Sequence, residues 1–187
     1  MMLIGGARRG KSSLAVEWGR RQGGPVTYVA TAPNGESDAA GGGEVIDRDM
    51  VDRIDRHRRE RPDSWTTIEE PYELGRAIEA AGTTAVIVDC LTLWTSNLMW
   101  LGRSDDEIVT EADAVAKIAA TRTLVAITNE VGLGVHPETH LGRRYRDVLG
   151  WVNQTWAAAA ATTLFLVAGR AMELHDPWTL LPDGRPR

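Results

Sequence analysis

The chain has 187 residues, and its 21 Lys and Arg against 26 Asp and Glu give a formal net charge of −5. This length suits one domain with a hydrophobic core, and a content of 43% hydrophobic and 25% charged residues excludes a disordered chain. The acidic balance argues against a nucleic-acid partner, and a single cysteine, Cys90, excludes a disulfide framework and a cysteine-based zinc site.

The N-terminus begins with a short apolar run followed by glycine, which predicts no signal peptide. No later apolar run reaches transmembrane length, so the sequence predicts a cytoplasmic protein without membrane insertion. Short apolar runs predict buried strands at Met1–Ile4, Val26–Thr31, Ala85–Asp89, Leu124–Asn129 and Thr163–Ala168. The amphipathic stretches between them predict helices near Lys11–Gln22, Arg48–Arg61, Tyr72–Ala81, Asp105–Ala120 and Gly142–Ala161. This alternation predicts an α/β domain with a mostly parallel sheet.

Two segments lack this patterning. Residues 33–44 are small, polar and rich in glycine, which predicts a mobile loop. Residues 176–187 contain three prolines and predict a surface tail, so the nucleotide-binding domain is expected to span residues 1–175.

The strongest motif is Gly5-Gly6-Ala7-Arg8-Arg9-Gly10-Lys11-Ser12, which fits the phosphate-binding pattern G-x-x-x-x-G-K-[ST] at every fixed position. Its glycines let backbone N–H groups point at phosphate oxygens, and the following helix adds the partial positive charge of its N-terminus. Lys11 is expected to reach the β- and γ-phosphates, and Ser12 to bind Mg²⁺. A chance glycine-rich turn is the alternative, but the strand before the motif and the helix after it favour a P-loop.

Two predicted strands end in polar residues. Asp89 closes an apolar run at the carboxyl edge where α/β sheets bind ligands, which makes it a candidate second Mg²⁺ ligand. The alternative is an aspartate that caps a helix. Asn129 lies at the same edge if both strands are parallel members of the sheet, and the alternative there is a plain turn.

Among the four histidines, His57 has the most informative surroundings. Met50, Ile54 and His57 are spaced to share one face of the predicted helix. The arginines around His57, at positions 56, 58, 59 and 61, favour the neutral imidazole that a nucleophile needs, and they suit nucleotide phosphates. A core histidine beside a solvated basic face is the alternative.

Together these segments resemble the bifunctional adenosylcobinamide kinase / adenosylcobinamide-phosphate guanylyltransferase family of cobalamin biosynthesis. The resemblance runs from the N-terminus to about Gly169. It is carried by the P-loop, by Tyr28–Thr31, Asp49–His57, Arg61-Pro62 and Trp65, by Asp89–Thr92 and Thr95–Leu98, and by Thr128–Gly134, Pro137-Glu138, Arg143–Asp147 and Val152–Gln154. The run Asn129–Gly134 and the pair Asn153-Gln154 are the most specific parts.

The resemblance implies a single P-loop domain with a RecA-like sheet covered by helices on both faces, in a homotrimer. It also implies two reactions: ATP or GTP phosphorylates adenosylcobinamide, and GTP then transfers GMP through a guanylylated histidine to give adenosylcobinamide-GDP. The position of that histidine is His57 here, with Lys11 as the other catalytic residue. The family's nucleotide-binding positions fall on the P-loop, Ala30, Thr31, Ala32, Arg58, Arg59, Glu60, Arg61, Glu69 and Asp89.

Some positions depart from the family pattern. Members commonly carry a small residue in place of Arg9, often a glutamate in place of Asp89, and in many cases two adjacent histidines, the first of which is Arg56 here. Two other hypotheses remain at this point. One is a small-molecule kinase in which the histidine is idle, and the other is a nucleotide-gated regulatory module that signals by loop ordering.

Three tryptophans, Trp94, Trp100 and Trp151, lie in segments that are not obviously part of the core. They are expected to line a subunit interface or to contact the corrinoid, because large aromatic side chains supply most of the contact area of such surfaces. Ordinary core packing is the alternative for each of them.

Overall fold

A computed structural model describes residues 1–33, 61–82 and 84–181. Its described strands form one seven-stranded sheet in the order β3-β2-β4-β5-β1-β6-β7, in which only β7 is antiparallel to its neighbour. The strands are β1 (Met2–Gly5), β2 (Val26–Ala30), β3 (Thr66–Glu69), β4 (Ala85–Asp89), β5 (Leu124–Ile127), β6 (Thr163–Val167) and β7 (Arg170–Leu174). The helices in the described part are α1 (Lys11–Arg20), α2 (Leu74–Ala80), α3 (Leu91–Trp100), α4 (Asp105–Ala120), α5 (His140–Ala159) and a 3-10 helix at Pro177–Leu180.

The helices cover both faces of the sheet, which confirms the predicted α/β fold. Alternation along β4 shows the division: Ile87 packs in the cluster that includes Ala15 of α1, whereas Val86 and Val88 pack in the larger cluster formed with α2 to α5. Since both sides of β1, β4 and β5 are buried, these strands carry almost only apolar residues, as the sequence predicts.

Helix α3 was not predicted from the sequence, and its burial explains why. Buried residues lie on all sides of it, including Leu91, Trp94, Asn97 and Leu98. A helix without a solvent-exposed polar face shows little 3.6-residue periodicity, so pattern analysis cannot distinguish it from a loop.

The two edge strands were also missed. Strand β3 has four residues and is mostly exposed, and every residue of β7 is exposed. Strand β7 returns along β6 through Ala168 and Gly169, whose φ angles of 50° and 71° match the two-residue turn that connects antiparallel strands. The Ala-Gly pair between two β-prone runs is the signal that could have predicted this hairpin.

The three tryptophans differ in their environment. Trp94 is fully buried and donates from Nε1 to the carbonyl oxygen of Tyr72 at 2.8 Å, so ordinary core packing, the alternative for this residue, is confirmed. Trp100 and Trp151 are 77% and 46% exposed, and their predicted role in a subunit interface or a corrinoid face stays a prediction.

Several predicted segments lie partly or wholly outside the described residues. These are positions 48–60 of the predicted helix at Arg48–Arg61, positions 34–44 of the predicted loop, and positions 182–187 of the predicted tail. The described part of the tail, residues 176–181, is exposed as predicted. Among the described helices, none combines the length and the apolar character needed to cross a bilayer.

Candidate active site

The predicted nucleotide-binding residues of β2, β3 and β4 meet at one edge of the sheet. Ala30 lies opposite Asp89 on one side and opposite Glu69 on the other, and Asp89 lies opposite Ile127 of β5. Thr31 and Ala32 follow β2 directly at this edge. Because β4 and β5 are adjacent and parallel, the prediction that Asp89 and the segment after Ile127 share an edge is confirmed.

The P-loop connects β1 to α1, and its conformation depends on two glycines. A Cβ atom on Gly5 would lie 2.4 Å from the carbonyl oxygen of Leu166, so the loop can leave β1 only with glycine here. Gly10 adopts a φ of 88° as the N-cap of α1. Arg8 also has a positive φ, 56°, and both Arg8 and Arg9 are exposed, so the departure at Arg9 does not disturb packing.

Lys11 is the first residue of α1 and is only 7% exposed. Its Nζ atom donates to the carbonyl oxygens of Gly5 and Gly6, at 2.9 and 2.8 Å. The ammonium group therefore lies inside the loop that is expected to hold the phosphates. The hydrogen bonds to these carbonyl oxygens compensate the free-energy cost of burying the ammonium charge.

Ser12 and Asp89 are brought together, as expected for two ligands of one Mg²⁺ ion. Ser12 Oγ donates to Asp89 Oδ2 at 3.4 Å. Mg²⁺ prefers oxygen ligands such as hydroxyl and carboxylate groups, and neighbouring ligands of an octahedral Mg²⁺ ion lie about 3 Å apart. Mg²⁺ usually keeps several water ligands and binds substrate phosphates beside one or two protein oxygens, so this pair fits such an ion.

The alternative role of Asp89 as a helix cap is not supported. The N-cap of α3 is Cys90, and the structure gives it no side-chain cap hydrogen bond. The carboxylate of Asp89 is directed instead towards Ser12 and Tyr28, both of which donate to Oδ2.

Tyr28 is a site residue to which the sequence analysis gave no role. Its hydroxyl donates to Asp89 Oδ2, and the guanidinium of Arg61 lies 3.6 Å from the centre of its ring. Burial, and next the charge of Asp89, raise the pKa of Tyr28 well above its usual value, so the phenol stays protonated and donates. A hydroxyl-bearing aromatic residue inside an apolar strand, two residues before its end, is the signal that could have singled it out.

Thr31 has a structural role at the same edge. Its Oγ1 atom accepts from the backbone N–H of Cys90 and also bonds to the Cys90 carbonyl oxygen, both at 2.7 Å. Asn97 of α3 donates to the carbonyl oxygens of Thr31 and Pro71, at 2.8 and 3.0 Å. These bonds tie the end of β2 to the start of α3, which fixes the backbone around Asp89.

A second buried network holds the end of β5. Thr128 Oγ1 donates to Asn153 Oδ1 at 2.7 Å, and Asn153 Nδ2 donates to the carbonyl oxygen of Asn129 at 3.0 Å. The backbone N–H of Asn129 donates to Thr92 Oγ1 at 2.8 Å, and that of Glu130 donates to the carbonyl oxygen of Gly5 at 3.2 Å. The segment after β5 is therefore packed against the P-loop, and Asn153 is its central support.

We expect Asn153→Ala to lower the free energy of unfolding by about 2–4 kcal/mol, because each buried partner left without its hydrogen bond costs about 1–3 kcal/mol. Asn153 is 6% exposed, whereas its neighbour Gln154 is exposed. Urea denaturation of the two alanine variants tests this, with Gln154→Ala expected within about 0.5 kcal/mol of the unsubstituted chain. Equal stability of the two variants would contradict a supporting role for Asn153.

The remaining predicted residues are distributed as follows. Glu69 is exposed at the end of β3, and Arg61 packs over Tyr28. His57, Arg58, Arg59 and Glu60 lie outside the described residues, so their roles stay predictions.

Most of the chain is similar to known proteins of one family. The profile of the family described as cobinamide kinase / cobinamide phosphate guanyltransferase matches residues 1–174. The bifunctional adenosylcobalamin biosynthesis protein CobP of Pseudomonas aeruginosa is 37% identical over 178 residues, which cover 92% of this chain and 95% of that protein. The bifunctional adenosylcobalamin biosynthesis proteins CobU of Escherichia coli and Salmonella typhimurium are each 33% identical over 190 residues, covering 93% of this chain and 98% of either relative.

Proposed function

The chain belongs to the cobinamide kinase / cobinamide phosphate guanyltransferase family, and we propose that it carries out both reactions at the site beside its P-loop, the second through guanylylated His57. It is a bifunctional enzyme of cobalamin biosynthesis. Membership of an enzyme family argues against the alternative of a regulatory module. The observation that carries the proposal is the pairing of Ser12 with Asp89 beside Lys11, which is the arrangement needed to bind a nucleoside triphosphate with Mg²⁺.

In the proposed kinase step, the hydroxyl of the aminopropanol arm of adenosylcobinamide attacks the γ-phosphorus of ATP or GTP. The bond between the γ-phosphorus and the β-γ bridging oxygen breaks, a nucleoside diphosphate leaves, and the hydroxyl proton is released to solvent. Backbone N–H groups of the P-loop bind the phosphates, and Lys11 moves from the carbonyls of Gly5 and Gly6 to the β- and γ-phosphate oxygens. Ser12 and Asp89 would hold Mg²⁺, which would supply charge stabilisation at the phosphates when bound.

In the proposed transfer step, an imidazole nitrogen of His57 attacks the α-phosphorus of GTP and pyrophosphate leaves. A phosphate oxygen of adenosylcobinamide phosphate then attacks the same phosphorus, which breaks the bond to His57 and gives adenosylcobinamide-GDP. Covalent catalysis divides one difficult transfer into two in-line steps. Arg61 supports this assignment, because it lies four positions after His57 and packs on Tyr28 beside Asp89.

The proposal also covers the assembly, the location and the partners of the protein. Neighbouring subunits of a homotrimer are proposed to complete the corrinoid site, and the exposed Trp100 and Trp151 are available for such contacts. The protein is proposed to work in the cytoplasm, with no nucleic-acid partner.

The covalent step is tested by incubating the purified chain with Mg²⁺ and GTP labelled on the α-phosphate. We expect protein-bound label that is lost in acid and retained in base, as for a phosphorus–nitrogen bond, on the peptide that contains His57. A kinase in which the histidine is idle would phosphorylate cobinamide and acquire no label. Label without phosphorylation of cobinamide would instead refute the kinase half of the proposal.

A further inference from the structure

Tyr28 connects the proposed metal ligand Asp89 to Arg61, which is the first described residue after position 60. The tyrosine side chain is 1% exposed. A phenylalanine would fill the same space in an apolar strand, and a buried hydroxyl is tolerated only when it is hydrogen bonded. Packing alone therefore does not explain the hydroxyl of Tyr28, and its hydrogen bond to Asp89 indicates a role at that carboxylate.

The register of the sheet explains how Tyr28 reaches Asp89. Tyr28 lies opposite Ile87, and Ala30 lies opposite Asp89. Residues two apart on a strand share a face, so Tyr28 and Asp89 are diagonal neighbours on the face covered by α1. Aromatic side chains span the diagonal distance of about 7–8 Å. The backbone of β2 thus sets where the phenol oxygen meets the carboxylate.

Two hydroxyl groups from different elements converge on one carboxylate oxygen. Tyr28 of β2 and Ser12 of α1 both donate to Oδ2 of Asp89. The terminal torsion of an aspartate has a broad preference, so the carboxylate plane is defined by what binds it. Mg²⁺ accepts little deviation from octahedral geometry, so a carboxylate in a fixed plane binds it better than one that rotates.

We propose that Tyr28 is a positioning residue, whose hydroxyl holds the carboxylate of Asp89 in the orientation that binds Mg²⁺, while the stacked guanidinium of Arg61 steadies the ring. This inference rests on the proposed function, which assigns Mg²⁺ to Ser12 and Asp89. Tyr28 acts through Asp89, in the way that outer partners orient metal ligands.

The test measures the Mg²⁺ concentration that gives half-maximal binding of a non-hydrolysable GTP analogue, by calorimetry on the full chain. Tyr28→Phe keeps the ring and removes the hydroxyl, and we expect it to raise this midpoint about 10- to 100-fold. Binding of the analogue at saturating Mg²⁺ should stay close to that of the unsubstituted chain. Tyr145→Phe is the matched control, since it removes a hydroxyl that donates to the carbonyl oxygen of Thr92 at 3.2 Å, and its midpoint should not change.

Asp89→Asn distinguishes failure of the proposed metal site from failure of the positioning role of Tyr28. If Asp89→Asn leaves the Mg²⁺ midpoint unchanged, the proposed metal site itself is wrong. If Asp89→Asn raises the midpoint and Tyr28→Phe does not, or if Tyr28→Phe and Tyr145→Phe shift it equally, only the positioning role is overturned. Should Tyr28→Phe fail to fold, Arg61→Lys is measured in the same way, because it keeps the charge and removes the planar stacking group. The positioning role requires a raised midpoint with unchanged binding of the analogue at saturating Mg²⁺, since loss of a direct phosphate contact would weaken that binding as well. An unchanged midpoint in Arg61→Lys would then overturn the proposal.

Discussion

Replacing Lys11 with arginine is expected to lower the turnover of cobinamide phosphorylation about 10²- to 10³-fold, although the charge is conserved. Lys11 is buried, with 7% of the residue exposed, and its ammonium donates to two carbonyl oxygens at 2.8 and 2.9 Å. A planar guanidinium is larger than an ammonium and donates in a fixed fork, so we expect it to replace the compact ammonium poorly between the loop backbone and the phosphates. Turnover with ATP and with GTP, measured at saturating Mg²⁺, checks the expectation.

The chain offers a matched control, because its only other lysine is Lys117. Lys117 is exposed on α4 and pairs with Asp113 one helical turn away, at 2.6 Å. Lys117→Arg should leave turnover and thermal stability unchanged, since arginine forms the same exposed pair. Turnover in Lys11→Arg within a few-fold of that in Lys117→Arg would contradict the role assigned to Lys11. A thermal denaturation curve of each variant distinguishes lost chemistry from lost folding.

The central strands and the P-loop were predictable because their sequence signals arise from local physics. Burial on both faces leaves runs such as Ala85–Asp89 apolar up to the last residue, and the polar residue that ends such a run lies at the ligand-binding edge. The P-loop requires glycine for steric reasons at Gly5 and Gly10, so its spacing is visible in one sequence. These signals sufficed to place Lys11, Ser12 and Asp89 near one another.

The contacts that orient these residues were not predictable, because they depend on tertiary packing. Tyr28 reaches Asp89 across two strands that are separated by more than fifty positions in the sequence, and no local pattern records that diagonal. Asn153 belongs to the pair that carries the family resemblance, yet only its contacts with Thr128 and Asn129 show that it supports a strand end. A sequence pattern indicates that a residue matters, and the fold decides how.

The covalent role predicted for His57 depends on the family resemblance. The helical spacing of this residue and its arginine neighbours alone favour a core histidine over a nucleophile, and only the resemblance assigns the covalent role. His57 lies outside the described residues, so its role is tested by a biochemical assay. A variant that stops one reaction and leaves the other therefore gives the sharpest test of the covalent role of His57.

Replacing His57 with asparagine is expected to abolish the covalent label and to lower guanylyl transfer to cobinamide phosphate by about 10³-fold or more, as loss of a nucleophile does. Cobinamide phosphorylation should remain, because Lys11, Ser12 and Asp89 are unchanged and their contacts are made within the P-loop and the sheet edge. The two activities are measured separately, by phosphate transfer from γ-labelled ATP and by GMP transfer from α-labelled GTP to cobinamide phosphate.

His175→Asn provides the control, since His175 is exposed just after β7 and lies beyond the residues matched by the family profile. It should retain both activities, because an exposed polar substitution far from the P-loop removes no contact that either reaction needs. Loss of both activities in His57→Asn with normal folding would mean that the two reactions cannot be separated at this residue. Full guanylyl transfer in His57→Asn would assign the covalent step to another nucleophile.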